Sequence, residues 1–235
     1  MDYTKYIAYL RQNLGISTSA VEGAKKITEH GRLSKVPINR MAYILATAYW
    51  ESAKTMQPVK EAFWKDEDWR RLNLRYYPWY GRGLIQTTWE DNYRKIAVAM
   101  GLRPTIFTDN PNLLLDWKYA IPALFVGMEK GIYTGKDLDD YIDLLDEDDT
   151  KDYAEYVAAR RIVNGTDKAS DIANIALKFE RALKVAGYVG GRGSGGGGLN
   201  FFEALANFFR SLFGGGSSGS SSGSSRNPDD NNDWR

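Results

Sequence analysis

Cysteine is absent from this chain, and histidine occurs once. The first absence excludes a disulfide framework, thiolate metal ligands and thiol nucleophiles, and leaves the redox compartment open. The second argues against a Ser-His-Asp hydrolase and a multi-histidine zinc site, and no metal or other cofactor is expected. The lone imidazole, His30, lies in KKITEHGRL just before a glycine, the place of a helix C-terminal histidine rather than a catalytic base. An excess of one charge sign is missing too. Lys and Arg number 31 against 30 Asp and Glu, a net charge of +1, so no global basic field suits nucleic acid. No apolar run reaches the ~18 residues of a membrane span. The first residues, MDYTKYIAYLRQNLG, lack the basic and apolar regions of a secretory leader. The expectation is synthesis in a host cytoplasm, with another agent needed to release the protein to anything outside.

Aromatic residues are plentiful, with seven Trp and fifteen Tyr. They suit either stacking platforms for sugar rings or an ordinary aromatic core. The stretch that organises the chain is residues 41–64, MAYILATAYWESAKTMQPVKEAFW. Met41, Ile44, Leu45, Ala48 and Tyr49 fall at helical spacing, and Glu51 projects close to that stripe. A carboxylate beside a core face is partly desolvated, the setting a proton donor needs. Pro58 stops a continuous helix, and Glu61 follows beyond it. An apolar-flanked acid with a second carboxylate returned by a turn is the arrangement glycoside hydrolysis uses. An amphipathic helix ending in Glu is the plain alternative.

Residues 3–14 read as a helix stopped by Gly15. Thr18 or Ser19 would cap a second, over about 19–30, closed by Gly31, and Asn39 would cap the helix leading to Glu51. Residues 62–79 are dense in aromatics and charge without a clean period, as in an irregular region or small sheet beside a cleft. In WYGRGLIQTTWEDNY, residues 79–93, Gly81 and Gly83 free the backbone around Arg82. Residues 84–87 suit a short strand, and Thr88 is the candidate N-cap of a helix carrying Asn92 and Tyr93. Further helices are expected over 116–130 with Pro122 as a kink or break, 150–163, and 168–186 closed by Gly187. The acidic segment 136–149 reads as a solvated helix face, with Leu138, Tyr141, Ile142 and Leu145 on the other side; it lacks the spacing and glycine of a calcium loop.

The pattern Gly-Arg-Gly-x-x-Gln-x-Thr-x-x-x-Asn-Tyr, after a helix ending in Glu-Ser, resembles the family 19 glycoside hydrolases. Within that family it is most similar to short phage endolysins that cut peptidoglycan. Residues 101–116, holding Asn110, Pro111 and Leu113, and residues 159–165, holding Asn164 and Gly165, resemble two further family segments. The likeness runs from about residue 1 to 188 in four ordered motifs. Family members usually carry His before the first catalytic Glu, where this chain has Trp50. The resemblance implies a mostly α, lysozyme-like (α+β) domain of two lobes around a cleft, with a small irregular or sheet region. It implies bacteriolytic hydrolysis of β-1,4 bonds in peptidoglycan strands. Glu51 would be the acid and Glu61 the base of an inverting reaction, with Glu67 next in line. Thr88 would orient the water, and Gln86, Asn92, Tyr93, Asn164 and Arg82 would bind sugar, with Arg82 equally suited to a structural ion pair. Cutting of chitin, glycan binding without catalysis and a purely structural use of the cleft are the alternatives.

Composition changes after residue 188. Residues 189–198 form a Gly-rich linker, and 214–235 a disordered Gly/Ser-rich tail. Between them, 199–213 (LNFFEALANFFRSLF) is an apolar amphipathic helix with Glu203 and Arg210 as its only charges. It is too short to span a bilayer, so it must dock on a membrane or envelope, on the domain, or on a partner protein.

Overall fold

The computed structural model describes residues 1–144 and 148–191, and these are mostly helical, with one small sheet. Helix α1, Tyr3–Leu14, is capped by Asp2, whose carboxylate accepts from the Thr4 and Lys5 amides, and closes at left-handed Gly15 as expected. Helix α2, Thr18–Leu33, is capped by Ser17 rather than Thr18 or Ser19, and it runs past Gly31. A Cβ on Gly31 would lie 2.1 Å from Met41 Sδ, so that glycine answers a packing need and does not stop the helix. His30 lies in the last turn against the Phe125 ring, and burial lowers its pKa to about 4.

Helix α3, Ile38–Glu51, opens after Pro37. Asn39 is not its cap; it is buried within the first turn, and its Nδ2 donates to the Asp143 carbonyl over 2.9 Å. Residues 41–49 are all buried, because α9 (Ala169–Val185) lies along α3 while α2 and α7 (Trp117–Glu129) pack on it as well. A helix enclosed in this way shows little amphipathic contrast, so the predicted stripe is only part of its buried surface. The helix stops at Glu51, ahead of Pro58. Ser52 Oγ accepts from the Met56 amide, and Ala53, Lys54 and Met56 take φ values of 51°, 66° and 52° to reverse the chain.

Helix α7 is a wall between two apolar cores. Ala120, Ile121, Leu124, Phe125 and Met128 enter the larger, with α1–α3, α8 (Asp149–Ala159) and α9. Tyr119, Ala123 and Val126 enter the smaller, with Tyr93, Ile96, Phe107 and Leu114. Pro122 is buried inside this helix without ending it. The smaller core is fed by α5 (Glu90–Ala99), α6 (Ile106–Asp109) and the 3-10 turn Pro111–Leu115.

The sheet pairs β1 (Val59–Lys60) antiparallel to β2 (Arg82–Gly83), Val59 opposite Gly83 and Lys60 opposite Arg82. The strand therefore precedes the expected 84–87; of these, 84–86 form a turn and Thr87 makes an isolated antiparallel bridge back to Arg82. The region 62–79 contains a helix, α4 (Glu67–Asn73), capped by Asp66. Residues 136–144 run through turns rather than a helix, although Leu138 and Ile142 are buried as expected; α8 begins only at Asp149, capped by Asp148. Leu145, most of the linker, residues 199–213 and the tail lie outside the described residues.

Candidate functional site

Six of the eight candidate residues line one pocket of about 750 Å³: Glu51, Glu61, Gln86, Thr88, Asn92 and Asn164. They arrive from four places in the chain. Glu51 is the last residue of α3, Glu61 follows β1, and Asn164 follows α8. Gln86, Thr88 and Asn92 come from the turn after β2 and the start of α5. Aromatic side chains complete the walls: Phe63, Trp64, Tyr76, Trp89 and Tyr133. Trp64 and Trp89 are 67% and 46% exposed, a large apolar area left open to a flat ligand.

The setting of Glu51 differs from the expected apolar one. The guanidinium of Arg160, itself only 4% exposed, donates to Glu51 Oε1 over 2.7 Å. Arg160 Nε donates to the Asp167 carbonyl, which fixes the guanidinium plane. Arg160 was not singled out by sequence; its one signal is an Arg pair closing a helix beside the Asn164 motif.

Glu61 is held at both oxygens. Tyr76 donates its hydroxyl to Oε1 over 2.7 Å, and the Gly81 amide donates to Oε2 over 2.9 Å. Burial and the Glu61 carboxylate push the Tyr76 phenol up to about 12, so it stays a donor. A Cβ at Gly81 would lie 2.7 Å from Gln86 Oε1 and 3.2 Å from Glu61 Oε2, which explains the first glycine of Gly-Arg-Gly. The second, Gly83, has φ of 85° and packs against the Leu114 carbonyl. Gln86 Nε2 donates to the carbonyls of Val59 and Gly83, fastening the turn to both strands.

Thr88 is not a helix cap; Trp89 holds that position, with φ of 73°. The Thr88 hydroxyl donates to the Gln86 carbonyl, and Asn92 Nδ2 donates to the Thr88 carbonyl, each over 2.9 Å. With its proton so used, the Thr88 oxygen is left as an acceptor. Ala53, Ala62, Gln86 and Trp89 all line the pocket with positive φ, between 47° and 73°. Left-handed non-glycine residues cost energy and gather where a site must be held in one shape.

Arg82 and Tyr93 are corrections: neither lines the pocket. Arg82 is buried and donates to Asn112 Oδ1, the carbonyls of Pro78 and Tyr80, and the Tyr93 hydroxyl. Tyr93 is wholly buried and donates to the Tyr80 carbonyl. Together they brace β2 against the 3-10 turn, away from the pocket where the sugar-binding role was expected of them. Glu67 also lies off the pocket wall. Partial burial opposes its ionisation, but hydrogen bonds from Lys60 and Tyr80 and the charges of Lys60 and Arg70 outweigh it and hold the carboxyl below the usual range. Among the described residues no group of His, Asp or Glu is placed to hold a metal ion. No family model, curated protein or solved structure matches the chain.

Proposed function

We propose that the chain is a glycoside hydrolase of the family 19 type, an endolysin-like enzyme that cuts β-1,4 bonds of peptidoglycan with inversion. One observation carries this reading: two carboxylates from separate elements, Glu51 and Glu61, meet in one pocket walled by neutral amides, a hydroxyl and open aromatic rings. In this reading the two cores are lysozyme-like lobes and the pocket is part of the cleft between them.

Glu51 protonates the leaving oxygen from the carboxyl oxygen that Arg160 does not bind, and Arg160, already donating to Oε1, stabilises the carboxylate that remains. Glu61 draws a proton from water on the opposite face of the sugar. Tyr76 and Gly81 aim its carboxylate, and each oxygen keeps a further lone pair for that water. Inversion needs about 6.5–9.5 Å between the carboxyl groups, against about 5–5.5 Å for retention. Thr88 accepts from the water or a sugar hydroxyl, and Asn92 and Asn164 hold the glycan by hydrogen bonds. The protein is made in a host cytoplasm and reaches the wall through another agent.

The test is digestion of purified peptidoglycan, with mass analysis of the released fragments and the first-formed anomer followed by proton NMR. New reducing ends of α configuration support the proposal; β anomers would replace inversion by retention. Preference for purified chitin over peptidoglycan would make it a chitinase. A second reading, glycan binding without cleavage, is favoured by the engagement of both Glu61 oxygens. Glycan pull-down with no new reducing ends would establish it.

A further inference from the structure

We propose that residues 199–213 fold back as an amphipathic helix into a groove on the face formed by α1, α2 and the start of α7. The groove has a volume of about 790 Å³ and is lined by Met1, Tyr3, Leu33, Trp117 and Ile121, with His30 among its lining residues. That volume is within the ~300–1,000 Å³ of pockets that enclose a sizeable apolar ligand. Leu33 is 66% exposed at its edge, an aliphatic side chain at the end of a helix whose other apolar residues are buried.

The exit of the chain selects the occupant. Tyr188 is buried and donates its hydroxyl to the Val36 carbonyl over 2.9 Å. The Gly191 amide donates to the Lys35 carbonyl over 2.8 Å. A Cβ at Gly190 would lie 2.1 Å from the Val36 oxygen, so only glycine passes there. The last described residue is therefore fixed beside Lys35, two positions from Leu33. Seven residues, 192–198, separate it from Leu199, a reach of up to roughly 25 Å at ~3.5 Å per residue. Leu199, Phe202, Leu205, Phe209 and Leu212 share one helical face, which needs an apolar cover within that radius. The rim matches in charge. Lys25 and Lys26 stand over the rings of Tyr3 and Trp117, and Glu22 and Glu29 pair with Lys25 and Arg32, so the rim carries both signs, as does a segment whose charges are Glu203 and Arg210.

Hydrogen exchange of the full-length chain tests this. Residues 199–213 should exchange at least about tenfold more slowly than a free peptide. The protection should be the same over a hundredfold range of protein concentration (~1–100 μM) and should be lost in Leu33→Asp, whose exposed position leaves the fold intact. A nitroxide on Leu33→Cys, the sole thiol of that variant, should broaden the resonances of 199–213 at low concentration. Unprotected residues 199–213, or protection indifferent to Leu33→Asp, would overturn the proposal. Protection that grows with concentration would assign the face to a second copy. Protection only with vesicles of anionic phospholipid would assign the segment to a lipid surface. Both outcomes are also contrary to it.

Discussion

At the scale of single residues, the decisive pair is Glu51 with Arg160. A Glu51→Gln variant removes the transferable proton, and hydrolysis should fall by about 10²–10⁴-fold. It also takes the negative charge from beside a guanidinium that is 4% exposed, leaving only an amide oxygen to accept from it. Leaving a buried charge without its partner costs about 3–5 kcal/mol, less here because Glu51 itself is 17% exposed. The single variant should therefore melt lower as well as lose activity. In the double variant Glu51→Gln/Arg160→Met, stability should return in large part while hydrolysis stays lost. Recovery of both would mean that Glu51 serves the fold alone. For Thr88→Val the expected split is the reverse: turnover drops more than tenfold, while stability changes by only about 1 kcal/mol, the worth of one hydrogen bond. Calorimetry and reducing-end assays on the same samples check both cases.

At the scale of elements, two groups at the ends of packed helices give the fold opposite responses to pH. His30, in the last turn of α2, is held near 4 by burial, below its ordinary value of 6.5. The unfolded chain binds that proton first, so its contribution is full above about 6.5 and is lost as pH falls toward 4. Glu129, at the end of α7, is raised to about 8 by burial, which outweighs the nearby charge of Arg40. The unfolded carboxyl loses its proton first, so the Glu129 contribution is full below about 4.5 and is lost as pH rises toward 8. Each slope is at most about 1.4 kcal/mol per pH unit. Glu129→Gln should flatten the alkaline side of a stability profile from chemical denaturation, and His30→Leu the acid side. An unchanged alkaline limb in Glu129→Gln would refute the first.

The same scale shows what sequence could and could not reveal. Helix α1 was legible because Asp2 and Gly15 sit at its ends with apolar residues at the right period between. Helix α4 was not, because its buried residue, Arg70, serves the loop around Glu61 rather than an apolar stripe. Arg70, 4% exposed, spends its donors on the carbonyls of Glu61, Ala62 and Lys65. Gly31 misled because a glycine chosen for close packing looks the same in sequence as one that ends a helix. The candidate residues Glu51, Glu61, Gln86, Thr88, Asn92 and Asn164 were legible through motif spacing, and the structure gathers them around one pocket. Arg160 and Tyr76 were not, since each acts across a fold contact that local pattern does not encode. Arg82 was legible as important, and of the two uses expected of it the structure shows the structural one, made through hydrogen bonds rather than an ion pair. Its four partners use the planar fork of the guanidinium, so Arg82→Lys should cost more than about 2 kcal/mol in denaturant unfolding.

At the scale of the whole molecule, the two carboxylates are moored to different bodies. Glu51 and Arg160, 109 positions apart in sequence, belong to the large helical core. Glu61 is tied to Tyr76 and Gly81, and through β2 to the 3-10 turn and the smaller core. The smaller body rests on few apolar residues and a sheet of two residues per strand, so it should open at lower free energy than α3 and α9. On warming, the span between Glu51 and Glu61 should be lost before the molecule melts. Such an enzyme would have an upper working temperature several degrees below its calorimetric midpoint and would regain full rate on cooling. A heat-limited catalyst of this kind is improved by bracing residues 59–93, and a firmer helical core would leave its ceiling where it was.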